Sequence, residues 1–247
     1  MPLPDCIAVV AAMESEIAFL RTLITPPSRT TDKYVTGKIG PRTIMLLRAG
    51  VGPQKTLRRL TETKWMHEPQ CVLSIGCAGA LSPELGPGDT IIPEKIANDT
   101  DAGRILLPSP ELIEIAKECC KTLGLSFHSG TSVSTSTAAA TIEQKRRLAS
   151  QYGAVSVDME SAQVAEWAEK ANVPMLAIRT IADALGDNIP PETGALVDAR
   201  GRLRLKRAFS LILSRPGFLL EILRLKRKLD RSLDILAKIV TALLSEK

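Results

Sequence analysis

Short, unbroken apolar runs alternate along this chain with longer stretches in which apolar positions recur every three or four residues. The run Cys6–Ala12 is β-branched and too short for a buried helix, so it predicts a strand covered on both faces. An amphipathic helix is expected from Glu14 to Leu23, where Pro26-Pro27-Ser28 breaks it. Tyr34–Ile39 and Arg42–Arg48 alternate around Gly40-Pro41 and predict a hairpin. Gly50-Val51-Gly52-Pro53 opens a helix over Gln54–Met66. Cys71–Ile75 reads as a second buried strand ending in a glycine-rich turn, Gly76–Ala80, and Asp89–Pro93 as a strand after the Gly86-Pro87-Gly88 turn. Helices are expected over Pro110–Leu123, Ile142–Gln151 and Glu160–Ala171. Val133–Thr137 reads as a strand end and loop, and strands are expected at Ala154–Val157 and Met175–Ile181. Buried strands alternating with amphipathic helices predict an α/β fold, a three-layer αβα sandwich around a mixed sheet.

The pattern changes after Gly186–Ala199, a Pro-, Gly- and Asp-rich loop. Two helical patterns follow, Leu203–Leu213 and Phe218–Leu244, with Pro216 ending the first and able to start the second. Charge marks the same boundary. Of the net +5, residues 200–231 carry +9, residues 232–247 carry none, and the first 199 carry −4. The expected division is a catalytic body over 1–199 and a basic amphipathic helical extension over 200–247. Such an extension suits a peripheral membrane contact or a cover over an apolar substrate, and equally a helical pair packed on the body or on a second subunit.

Composition removes several function classes. Aromatic residues are only 3% of the chain, which leaves no base-stacking platform and argues against a nucleic-acid partner. His67 and His128 stand in no metal-ligand spacing, so no metal is expected. The five cysteines, Cys6, Cys71, Cys77, Cys119 and Cys120, are irregularly spaced and read as reduced thiols. The apolar run at Cys6 lacks a basic flank and meets Glu14 and Glu16, so no signal peptide is read and a cytoplasmic protein is expected.

Candidate chemistry collects at strand ends. Glu16 follows the first strand, where open α/β sheets place ligands. It could orient a water, or serve as an ordinary acidic residue of a helix's first turn. Glycine turns at Gly50 and Gly52, and at Cys77, Ala78 and Gly79, offer backbone N–H groups to an anion or a sugar. In Asp158-Met159-Glu160 a carboxylate sits at a strand-to-helix junction, where it can accept both donors of a vicinal diol. Asp183 ends the following strand and could act as a general acid if burial raises its pKa.

These motifs resemble the nucleoside phosphorylase/nucleosidase superfamily. Ala12-Met13-Glu14-Ser15-Glu16 is similar to the start of methylthioadenosine/S-adenosylhomocysteine nucleosidases. The resemblance covers residues 6 to about 187 and implies a purine nucleoside phosphorylase-type sandwich. It also implies roles: Glu16 activates water, Glu160 holds the ribose hydroxyls, Met159 packs on the sugar, and Asp183 protonates the leaving purine. No organic cofactor is implied, phosphate being a possible co-substrate. Ser74 and Cys77 stand where phosphorylases carry the phosphate-binding Arg and hydroxyl, which favours hydrolysis, with Arg42 and Arg48 as substitute phosphate ligands.

The run Val133–Ala138 lacks the phenylalanine that stacks on the purine in the resembled enzymes. The tail, with Arg215-Pro216-Gly217-Phe218-Leu219-Leu220, resembles the hopanoid-biosynthesis-associated branch, which implies a lipid-linked nucleoside, adenosylhopane, as substrate. Methylthioadenosine, S-adenosylhomocysteine and futalosine are the alternative substrates, and a non-catalytic membrane-surface protein on the same fold is the alternative of another class. Homo-oligomers are common among the resembled proteins.

Overall fold

In a computed structural model of the chain, residues 3–31, 34–189 and 218–245 are described. The expected Leu203–Leu213 helix, the Pro216 break and residues 190–199 of the Gly186–Ala199 loop lie outside them. Twelve strands among the described residues form one mixed sheet: β1 (Cys6–Ala11), β2 (Thr25–Thr30), β3 (Tyr34–Ile39), β4 (Arg42–Arg48), β5 (Cys71–Ala80), β6 (Thr90–Ile91), β7 (Lys95–Asn98), β8 (Arg104–Leu106), β9 (Phe127–His128), β10 (Thr131–Ser134), β11 (Ala154–Asp158) and β12 (Met175–Asp183). The helices are α1 (Ala18–Leu23), α2 (Pro53–Glu62), α3 (Pro110–Thr122), α4 (Ile142–Tyr152), α5 (Ser161–Ala171) and α6 (Phe218–Ser245).

Strand alternation builds the three layers. Ile7, Val9 and Ala11 of β1 join Leu73, Ile75, Leu176 and Ile178 in one core, which α1, α3 and α6 cover. Ala8 and Val10 join Val72 and Ala177 in the opposite core, under α2 and α5. The expected αβα sandwich is therefore the fold.

Four local readings are corrected. Glu14–Leu23 is not one helix but a 3-10 turn, Glu14–Glu16, followed by α1. The Glu16 carboxylate folds back on the N–H groups of Ala12 and Met13, and Ile17 leaves helical geometry. Pro26 and Pro27 do end the helix, yet they belong to β2, an edge strand paired only with β3, where a missing N–H is tolerated. The helix expected over Gln54–Met66 stops at Glu62, where the Thr63 hydroxyl donates to the Arg59 carbonyl at 2.7 Å. Gly76–Ala80 is not a turn: β5 runs on through it, paired in parallel with β12 as far as Gly79.

This long β5 positions the cleft. β1 pairs with it only from Cys71 to Ser74, and β11 takes up Gly79 and Ala80 in the antiparallel sense. Between these partners one edge of β5 is open at a change of strand direction, the place where α/β sheets accept ligands.

α6 is built into the body. Ser232, Leu236, Ile239, Val240, Leu243 and Leu244 recur at helical spacing and are buried. The Ser232 hydroxyl donates to the Ile181 carbonyl of β12 at 2.5 Å. Arg42, at the start of β4, donates to the Leu244 carbonyl at 3.1 Å and so closes the helix C-terminus with a cation. Upstream, Arg224, Lys226 and Arg227 are exposed. No described helix is long and apolar enough to cross a membrane. Leu236→Ala is expected to cost about 2–5 kcal/mol in urea denaturation. Lys226→Ala, which removes only an exposed pair with Asp230, is expected to cost less than about 1 kcal/mol.

Candidate active site

The open edge of β5 faces a cavity of about 220 Å³, lined in part by Met13, Glu16, Val51, Cys77, Ala78, Gly79, Met159, Glu160 and Asp183. Seven of the residues expected at the site are thus brought together from four chain segments. Of the glycine pair, Gly52 acts through its N–H, which donates to Glu160 Oε1 at 2.7 Å. Gly50 lies beside the cavity, its carbonyl accepting the Thr56 hydroxyl at 3.2 Å. Arg42 and Arg48 are not brought in. Arg42 starts β4 while the cleft lies at the strand's other end, and six residues of strand span about 20 Å. Arg48 is buried with its Nε 3.6 Å from Glu14 Oε2.

Each carboxylate is held in its own way. Glu16 is 3% exposed and accepts three backbone N–H groups, from Ala12 at 3.1 Å, Met13 at 2.8 Å and Cys77 at 2.9 Å. The Cys77 N–H is available because β1 has already left β5 at that point. Burial raises the Glu16 pKa, opposed by those bonds and by the Arg179 charge. Glu160 is pushed up to about 8 by burial and by the neighbouring Asp158 carboxylate, with the Gly52 bond acting the other way. Asp183 is raised by burial and opposed by Lys145, which forms an ion pair with Asp183 Oδ2.

Two glycines make these approaches possible. A Cβ on Gly76 would lie 2.7 Å from Glu16 Oε1, and one on Gly79 would lie 3.0 Å from Asp183 Oδ2.

Beneath the cavity lies a buried polar network that the motif reading left out. Arg179 Nε donates to Asp158 Oδ2 at 2.7 Å, and its other nitrogens bind the Ser74 carbonyl and hydroxyl. Asp158 also accepts the hydroxyls of Ser134 and Ser161 and the N–H groups of Glu160 and Ser161, which ties the start of α5 to the end of β11. Burial pushes the Asp158 pKa up, but Arg179 and the two hydroxyls hold it below the ordinary value. Ser74, in the position read against a phosphate-binding arginine, is therefore committed to Arg179. Lys145 was also missed; it is fully buried on α4.

Three carboxylates, Glu16, Glu160 and Asp183, thus face one cavity. Fold and site define an enzyme acting on an N-glycosidic bond. A family model for the phosphorylase superfamily matches residues 6–214, and the chain belongs to that superfamily.

Curated relatives agree with this. The 5'-methylthioadenosine/S-adenosylhomocysteine nucleosidase of Halalkalibacterium halodurans is 29% identical over 201 residues, 73% of this chain and 86% of the relative. Its namesake from Staphylococcus aureus strain Newman is 26% identical over 195 residues, 72% of this chain and 86% of the relative. Among solved structures, the Neisseria meningitidis nucleosidase of the same name, in complex with methylthio-immucillin-A, superposes with a TM-score of 0.77 at 20% identity. That match covers 98% of this chain and 99% of the other. Futalosine hydrolase of Helicobacter pylori superposes at 0.76 and 20% identity, covering 98% of each chain. At such identity these structures establish the fold.

Two consequences can be measured. Arg179→Met leaves Asp158 buried without its cation and is expected to destabilise the fold by about 3–5 kcal/mol, read by denaturant unfolding. Glu160 works in the opposite sense. Its folded pKa lies above the unfolded value, so the fold keeps a proton that the unfolded chain releases, and stability falls as pH rises through the interval up to about 8. Glu160→Gln should therefore melt higher than wild type at pH 8–9, with a smaller gap at pH 5.

Proposed function

We propose that the protein hydrolyses the N-glycosidic bond of an adenine nucleoside, releasing adenine and the free sugar. The observation that carries this reading is the meeting of Glu16, Glu160 and Asp183 around one cavity. Glu160 accepts the ribose hydroxyls while Met159 packs against the sugar. Glu16, fixed by three N–H donors, takes a proton from the attacking water as its oxygen bonds to the anomeric carbon. The bond from that carbon to the base breaks, its electron pair stays with the base, and Asp183 places a proton on the purine ring. The names of the curated relatives support an adenine nucleoside.

Water is favoured over phosphate as the nucleophile. Among the described residues that line the cavity there is no lysine or arginine to hold a phosphate dianion. Ser74, in the phosphorylase arginine position, is spent on Arg179.

A lipid-linked substrate of the adenosylhopane kind is the finer reading. It is supported by the apolar wall that Ala138, Ala139, Ile189 and Leu229 give the cavity, with no aromatic side chain among the described residues that line it. It is supported too by α6, which brings Leu229 to the cavity and carries exposed Leu223, Arg224 and Arg227 just upstream.

The test is adenine release by purified protein from methylthioadenosine and from adenosylhopane, each with and without phosphate. Phosphate-independent release supports hydrolysis, and preference for adenosylhopane supports the lipid-linked reading. No release from either nucleoside argues for the non-catalytic alternative. Glu16→Gln and Asp183→Asn should each lower kcat by about a hundredfold or more. Because the Glu16 carboxylate must be ionised to accept a proton, activity should fall on the acid side through its raised pKa.

A further inference from the structure

Lys145 sits on α4 between Gln144 and Arg146, and its side chain is 0% exposed. An ammonium taken so far from solvent is sustained only by close partners. It has three. Nζ donates to the Ala184 carbonyl at 2.6 Å and to the Asp187 carbonyl at 3.0 Å, and it pairs with Asp183 Oδ2. Two donors of the ammonium are thus committed to backbone, and its charge is paired with the carboxylate that faces the cavity. Two neutral carbonyls fix the lysine whatever the charge on Asp183, while the third contact strengthens when that carboxylate is ionised.

We propose that Lys145 is a positioning residue for acid catalysis, the fixed counter-ion of the carboxylate that Asp183 becomes when its proton passes to the leaving base. The inference rests on the nucleosidase reading above. The contact is stronger after the transfer than before it, which is the condition for lowering a barrier. The surroundings leave Lys145 as the dominant charge on Asp183. Asp187, in the loop after β12, is paired with Lys228 of α6 at 2.6 Å. From β5, Cys77 presents a thiol that burial keeps protonated. The lysine also aims the carboxylate, since Ala184 and Asp187 belong to the loop that follows Asp183.

The experiment compares wild type with Lys145→Met and Lys145→Gln for adenine release across pH. Wild-type activity should fall on the alkaline side as Asp183 loses its proton. Without the neighbouring ammonium, Asp183 holds that proton more tightly and is a weaker acid. The alkaline limb should move up by about one pH unit or more. Below the limb, kcat should drop about tenfold or more, with KM changed much less.

A double-mutant comparison separates this role from loop seating. In an Asp183→Asn background, where no carboxylate forms, Lys145→Met should add almost no further loss of kcat. An unmoved alkaline limb in both variants, or an equal loss added in the Asp183→Asn background, overturns the proposal while leaving the nucleosidase reading intact. A wild type that releases no adenine overturns both.

Discussion

A guanidinium and a carboxylate buried in the middle of a sheet are tolerable only as partners, and Arg179 and Asp158 are each 5% exposed or less. Their contact spans β12 and β11, and through Ser74 it reaches β5, so one ion pair locks the three strands that surround the cleft. Asp158 then turns the chain into α5 by accepting the N–H groups of Glu160 and Ser161, which fixes where Glu160 begins. On the other side, the Arg179 charge acts on both Glu16 and Glu160. The cavity stands on this pair: the carboxylates above it can be partly free for chemistry because the one below is fully engaged.

Three of the four carboxylates that line the cavity, Glu16, Glu160 and Asp183, are the same kind of group in three settings. Glu16 is bound by backbone N–H groups, Glu160 by one N–H beside a like charge, and Asp183 by an ammonium. Environment sets the proton affinity of each by a different balance of burial, hydrogen bonds and nearby charge. Glycines at 76 and 79 are part of that arrangement, since they let two of the three reach the backbone of β5.

Much of this was legible in the chain. Glu16, Met159, Glu160 and Asp183 each follow or end a short apolar run; the runs at Glu16 and Asp183 become β1 and β12, parallel to β5, and the run before Met159 becomes β11, antiparallel to it, so that their ends meet at one cleft. The αβα layering was readable for the same reason. Lys145 was not, because Glu143, Gln144, Arg146 and Arg147 around it give the look of a solvated helix face. The available signal was its spacing: Leu148, three residues on, is the other buried position of α4. Arg42 misled in the opposite way, because nearness along the chain says nothing about which end of a strand a residue occupies. Gly76–Ala80 looked like a turn because glycine usually punctuates structure, whereas here it admits a carboxylate against a continuing strand.

α6 has a consequence for the order in which the molecule comes into being. Its buried stripe from Ser232 to Leu244 completes the core under β1, β5 and β12, and Leu229 completes the cavity wall. A ribosome must therefore make α6 before this core is closed. Until then the nascent chain exposes apolar sheet surface and has no finished pocket, so the protein cannot meet its substrate half-made, and a chain stalled before α6 displays the surface that chaperones and proteases read.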